Sequence, residues 1–255
     1  MRNNSAKAAN SDNPTSGDKS VHQLNQWTLQ IEQGQKQLSV LVDPDKFTPE
    51  MIPKLLDHLP GETTHIFVGG STVAPGVTHE LVQVIKKQSP LPLWIFPGDA
   101  EQISPQADAL LFLSLVSGDN PEYLIGQQAR AAAILRTMEL PTIATAYMLI
   151  DGGVDSAVAR VTATQPLGLE DTERIVNRAL AAYHMGAKAI YLEAGSGAHN
   201  PVPTEIIRRV KTATALPLIV GGGLRQPEQI QNAWGAGADM VVVGTAIEEI
   251  LSLTH

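Results

Sequence analysis

Ala189-Ile190-Tyr191-Leu192-Glu193-Ala194-Gly195-Ser196-Gly197, then Leu218-Ile219-Val220-Gly221-Gly222-Gly223, then Met240-Val241-Val242-Val243-Gly244-Thr245: each of these apolar runs of strand length ends in a glycine-containing turn that opens a helix-like segment. Backbone amides at such strand-to-helix turns point outward, glycine lets an anion approach closely, and the helix dipole adds partial positive charge. Together the three turns describe a phosphate cradle.

Working outward from these runs, strand and helix patterns alternate along the chain. Strands are read at 38–42, 64–68, 93–96, 109–114, 142–149, 189–193, 218–220 and 240–243, and helices at 49–58, 78–88, 121–138, 170–185, 203–215, 226–234 and 245–253. After the third strand a short irregular segment stands where a helix is due. Near-continuous Val, Ile and Leu strands imply a parallel sheet buried on both faces, and eight units favour closure over an open sheet. The expected fold is therefore α/β, a modified TIM (β/α)8 barrel whose third helix is replaced by an irregular segment. The 255 residues match the length of one such barrel. Residues 1–19, rich in Asn, Ser, Asp and Gly, are expected to be a disordered leader, and 20–255 a single domain. In 20–34, Leu24, Trp27 and Ile31 share one helical face and Gly34 supplies a stop, which predicts a helix beneath the barrel floor with Trp27 in the core.

Composition excludes several functions. A net charge of −8 argues against sequence-independent nucleic-acid binding. The absence of cysteine removes disulfides, thiolate metal sites and cysteine nucleophiles, and fits a cytoplasmic location. No apolar run approaches the roughly 18 residues of a membrane span, so no stable membrane insertion is expected. The histidines show no zinc-site spacing, and only His199 lies near the cradle. No G-x-S-x-G elbow occurs.

In a barrel of this kind function sits at the C-terminal ends of the strands. The first ends in Val42-Asp43-Pro44-Asp45-Lys46, two carboxylates and an ammonium, and the second in Gly69-Gly70-Ser71-Thr72. Such oxygen donors suit Mg²⁺; the bland alternative is that Asp43 and Asp45 cap a turn. Glu193 ends an apolar strand beside a glycine turn, and alternation puts it on one face with Tyr191, where the two could grip a polyol phosphate. Arg225 either supports the phosphate or is solvated.

Taken in order, Leu41-Val42-Asp43-Pro44-Asp45-Lys46, Val68-Gly69-Gly70-Ser71, Ala146-Tyr147-Met148-Leu149-Ile150, Tyr191 to Gly197, Gly221-Gly222-Gly223 and Val243-Gly244-Thr245 resemble the geranylgeranylglyceryl phosphate synthase family, over about 38–253. The stretch from Phe96-Pro97-Gly98 to Ser117-Gly118 resembles its second group, which has bacterial members. The resemblance implies a prenyltransferase joining the 3-hydroxyl of sn-glycerol 1-phosphate to geranylgeranyl diphosphate, releasing diphosphate. It implies Asp43 and Ser71 as ligands of Mg²⁺. It also implies Tyr191, Leu192, Glu193, Ala194, Gly195, Ser196, Gly197, Gly221, Gly222, Gly223, Gly244 and Thr245 as the glycerol phosphate site, with Glu193 catalytic. Archaeal first-group members carry a lysine where this chain has Leu41, and Lys46 is the candidate replacement. The family further implies a homo-oligomer, up to a hexamer. The small side chains of Ala129, Ala131, Ala132 and Ala133 either leave room for a prenyl chain or allow close helix packing. Two other readings stay open: a metal-independent phosphate-binding TIM barrel of amino-acid biosynthesis, and a non-catalytic phosphate-sensing barrel.

Overall fold

The computed structural model describes residues 16–245 and Glu248. Eight strands, β1 (Gln37–Val42), β2 (Thr63–Val68), β3 (Leu93–Ile95), β4 (Ala109–Leu115), β5 (Thr142–Leu149), β6 (Ala189–Glu193), β7 (Leu218–Gly221) and β8 (Met240–Val243), close into a barrel in sequence order. Every neighbouring pair is parallel, with β8 returning to β1.

Among the described residues the helices are α1 (Ser16–Glu32), α2 (Ile52–Asp57) after a 3-10 turn Pro49–Met51, α3 (Val77–Gln88), α4 (Gln127–Leu135), α5 (Ala157–Thr162), α6 (Thr172–His184), α7 (Thr204–Thr214) and α8 (Pro227–Ala236). The connection from β3 to β4 contains only the 3-10 turn Ala100–Gln102, so the expected missing helix is missing. Pro97, Gly98 and Pro105 bound this stretch, and the Asp99 carboxylate caps the turn by accepting the Glu101 amide at 2.8 Å, one of the first-turn donors that have no partner within a helix. The expected helix 121–138 is instead a π-helical turn, Glu122–Gly126, running into α4. α5 went unread because its six residues are too few to show a period. Helix α1 starts at Ser16, inside the expected leader, whose first part lies outside the described residues; so does nearly all of the expected helix 245–253. No helix of the described residues is long and apolar enough to cross a membrane.

Strand parity divides the apolar residues into two cores. Val40, Val42, Ile66, Ile190, Leu192, Val220 and Val241 face the surrounding helices, while Phe67, Trp94, Leu111, Tyr147, Tyr191, Ile219 and Met240 fill the barrel. Helix α1 plugs the lower end as expected: Trp27 is buried, packs edge-on against Trp94 at 5.3 Å and donates its indole N–H to the Gln37 side chain.

Two matching latches tie the barrel. Asp108, just before β4, accepts the Leu93 amide at 2.7 Å and the Lys86 ammonium at 2.8 Å. Asp239, just before β8, accepts the Leu218 amide at 2.8 Å and the Lys211 ammonium at 2.6 Å. The lysines come from α3 and α7, so the same device recurs four strands apart.

Candidate active site

Glu193 ends β6 pointing into the barrel, because Tyr191 and Glu193 share the inward parity of that strand. It is 7% exposed. The Gly195 amide donates to its Oε1 at 2.8 Å. Burial pushes its pKa up to about 7, against the pull of that amide and of the neighbouring Tyr191 hydroxyl. The Tyr191 hydroxyl is itself buried without an aligned hydrogen-bond partner, although it lies beside Glu193. The Tyr191 ring is held between Phe96, stacked at 4.9 Å, and Tyr147 at 5.4 Å. A buried hydroxyl without an aligned partner, beside a carboxylate that burial makes easier to protonate, fits the hydroxyls of a polyol.

The register pairs Glu193 with Gly221, and only glycine fits there, since a Cβ would strike the Tyr191 hydroxyl and Glu193. At Gly222 the backbone is left-handed, with φ +81°, and a Cβ would meet Glu193 and the amides of Ala194 and Gly195. The turns after β6 and β7 thus close over the carboxylate with backbone rather than side chain.

Across the mouth, Asp43 follows β1. Its Oδ1 accepts the Asp45 amide at 3.1 Å, so the turn-capping reading holds in part, and Asp45 accepts from the Thr72 hydroxyl at 3.2 Å. The carboxylate abuts Gly70, where a Cβ would collide with it. Gln102, from the helix-less connection, fixes that turn by donating to the Gly70 carbonyl at 2.8 Å and accepting the Gly70 amide at 3.3 Å. Burial raises the Asp43 pKa, opposed by the Asp45 amide and the Lys46 ammonium.

One cavity of about 1470 Å³, open mouth included, joins these parts. Asp43, Lys46, Ser71, Tyr191, Glu193, Gly195, Ser196, Gly197, Gly222, Gly223, Gly244 and Thr245 all line it. Three expected residues do not. The side chains of Leu192 and Ala194 have outward parity and lie in the outer core, which leaves them only backbone roles, and Gly221 is covered by Tyr191 and Glu193. His199 is exposed and outside the lining. Arg225 lines the cavity and donates to the Ala198 carbonyl at 2.7 Å.

The cavity continues sideways. Its walls include Leu111 and Leu113 from inside the barrel but also Leu110 and Phe112 from the outer face of β4, with Ile103, Gln127 and Ala131 beyond them. This apolar groove occupies the space where a third helix would pack. Of the four alanines, only Ala131 is buried and lines it; Ala129, Ala132 and Ala133 are exposed. Two residues given no site role by the sequence complete the site: Gln102, inside the stretch that resembles the second group, and Glu248, which reaches Asp43 and Lys46 only through closure of β8 on β1.

Fold and site define a (β/α)8 barrel with carboxylates and glycine turns around its C-terminal mouth and an apolar groove at one side. The PcrB family model matches residues 30–252, and the chain belongs to that family. It is 49% identical over 213 residues to a geranylgeranylglyceryl phosphate synthase of Zunongwangia profunda, covering 84% of this chain and 91% of that protein. Likeness to the Flavobacterium johnsoniae protein of the same name is also 49%, over 216 residues, 84% of this chain and 89% of that protein. In structure it is similar to (S)-3-O-geranylgeranylglyceryl phosphate synthase from Thermoplasma acidophilum in complex with sn-glycerol-1-phosphate, with TM-score 0.81, 36% identity, and coverage of 88% and 91% of the two chains.

Proposed function

We propose that the protein joins the 3-hydroxyl of sn-glycerol 1-phosphate to the C1 carbon of geranylgeranyl diphosphate, forming an ether and releasing diphosphate. The observation that carries this reading is Glu193 and the orphan Tyr191 hydroxyl between the glycine turns and the Asp43–Ser71 corner, in a cavity that extends into an apolar groove. The names of the relatives support the same reaction.

Under this reading the turns at Gly195-Ser196-Gly197, Gly222-Gly223 and Gly244-Thr245 bind the phosphate, and Tyr191 and Glu193 hold the glycerol hydroxyls. Glu193 orients the 3-hydroxyl and accepts its proton as the new C–O bond forms, a task for which a pKa of about 7 is well placed. The donor chain lies along Phe112 and Ala131, which positions its C1 carbon toward the acceptor.

Asp43 and Ser71 would hold Mg²⁺, and Lys46 would contact the diphosphate. Their donor set is all oxygen, as that ion prefers. Charge supports the assignment: among the described residues the lining carries the carboxylates Asp43, Asp99, Glu193 and Glu248 against the cations Lys46 and Arg225, an unfavourable setting for two anionic substrates without a divalent ion. Bound there, the metal would neutralise the leaving diphosphate. The homo-oligomer, up to a hexamer, and the cytoplasmic location belong to the same proposal.

The test is incubation with Mg²⁺, geranylgeranyl diphosphate and either sn-glycerol 1-phosphate or sn-glycerol 3-phosphate, read by mass spectrometry. Prenyl ether from the 1-phosphate alone is expected, and no product from either acceptor overturns the reading. Full prenyl transfer after chelation would remove the metal from the reading.

A further inference from the structure

Lys46 crosses the barrel mouth to the turn that follows β8 and donates to both carboxylate oxygens of Glu248, at 2.8 and 2.9 Å. On its other side Asp43 Oδ2 lies 4.0 Å away. The Glu248 amide donates to the Gly244 carbonyl at 3.3 Å, which holds the residue over the strand end that carries Gly244 and Thr245. All three charged residues line the cavity. The lysine therefore sits between two acids, bonded to the one that has no place in the reaction as proposed.

Positive charge on this side of the mouth is scarce. Leu41, whose side chain lies against Gly244, supplies none, and Arg225 is on the glycine-turn side beside Gly223. Lys46 is thus the cation that a diphosphate at the Asp43–Ser71 corner would meet among the described residues. Its pairing with Glu248 is exchangeable, since the two side chains are 40% and 25% exposed and such pairs are weak.

We propose that Glu248 is a positioning residue, the resting counter-ion of Lys46, which draws the ammonium away from Asp43 while the corner is empty and gives it up when a diphosphate arrives. The inference rests on the diphosphate-binding reading above. Without Glu248 the nearest anion to the ammonium is the Asp43 carboxylate, and a lysine collapsed onto Asp43 would compete with a metal ion for it. With Glu248 present, Asp43 stays open, but a diphosphate must break a two-point ion pair to recruit Lys46. The same competition favours departure of the diphosphate once the prenyl group has been transferred.

The test is inhibition of prenyl transfer by inorganic diphosphate at saturating Mg²⁺, where competition of the lysine for Asp43 no longer limits metal binding, in the wild type, Glu248→Gln, Lys46→Met and the double variant. Glu248→Gln is expected to tighten diphosphate inhibition two- to five-fold, the range set by the strength of a partly exposed ion pair, and Lys46→Met to weaken it. Adding Glu248→Gln to Lys46→Met is expected to change nothing, because the acid acts through the lysine. Unchanged or weaker inhibition in Glu248→Gln overturns the inference, and so does equal tightening in both backgrounds, which would make Glu248 a bare charge on the ligand. A purely structural role would lower the melting temperature without this pattern. Failure of the wild type to transfer any prenyl group would instead bring down the functional proposal on which the inference rests.

Discussion

Glu193 shows how much one carboxylate gives up to be useful. Its pKa is raised from 4.5 to about 7, so over that interval the folded protein holds its proton more tightly than the unfolded chain does. Ionising Glu193 therefore lowers stability as pH rises: the penalty is absent below about pH 4.5, grows through neutrality and is complete above about pH 7, where the shift corresponds to about 3 kcal/mol. Glu193→Gln keeps an acceptor for the Gly195 amide but carries no charge. It is expected to be more stable than the wild type at about pH 8, by up to about 3 kcal/mol in urea unfolding, with the difference fading toward about pH 4. The same variant is expected to lose about 100-fold or more in turnover while still binding glycerol phosphate. In the wild type, kcat/KM is expected to climb with pH and level off above about 7, since the proposed role of Glu193 as base needs its ionised form. A flat profile, or wild-type turnover in Glu193→Gln, would remove Glu193 from the chemistry.

At the scale of elements, the connection between β3 and β4 does most to distinguish this barrel. By leaving out a helix it exposes the outer face of β4 to the cavity, and α4 then provides the far wall at Ala131. Ala131→Trp fills that groove, so with prenyl diphosphates of graded length the preferred donor is expected to shorten; an unchanged product profile would discard the groove assignment. The gap was legible in the sequence because Pro97, Gly98 and Pro105 interrupt any helical period, just as the strands were legible from their uninterrupted Val, Ile and Leu runs. What escaped reading was local or distant. α5 is too short for a period, the π-helical turn before α4 has the composition of an ordinary helix, and Gln102 is a polar residue in a loop whose partner, Gly70, lies 32 positions away. Among site residues, glycine motifs marked the turns reliably, but the inclusion of Leu192 and Ala194 followed the motif rather than the alternation that turns their side chains outward.

Over the whole molecule, the paired latches at Asp108 and Asp239 act on equivalent seams of the two half-barrels. They are chemically alike and differently buried: the Asp239 side chain is 8% exposed and that of Asp108 32%. Asp239→Ala leaves the buried Leu218 amide without its acceptor and the Lys211 ammonium with the Leu216 carbonyl alone, and is expected to cost about 2–3 kcal/mol in urea unfolding. Asp108→Ala, with water able to replace the carboxylate, is expected to cost about 1 kcal/mol. Equal losses would show that burial does not decide their strength.

The absent third helix also bears on how a finished molecule departs. A product with its phosphate in the mouth and its chain laid over β4 need not be withdrawn lengthwise through the barrel; it can peel off sideways. Dwell time then depends on how strongly the tail prefers the protein to whatever lies outside, and a surrounding oily phase shortens it. Detergent micelles should therefore quicken steady-state turnover with long donors and leave short ones unaffected, making the lateral gap, rather than the carboxylates, the part that sets the pace.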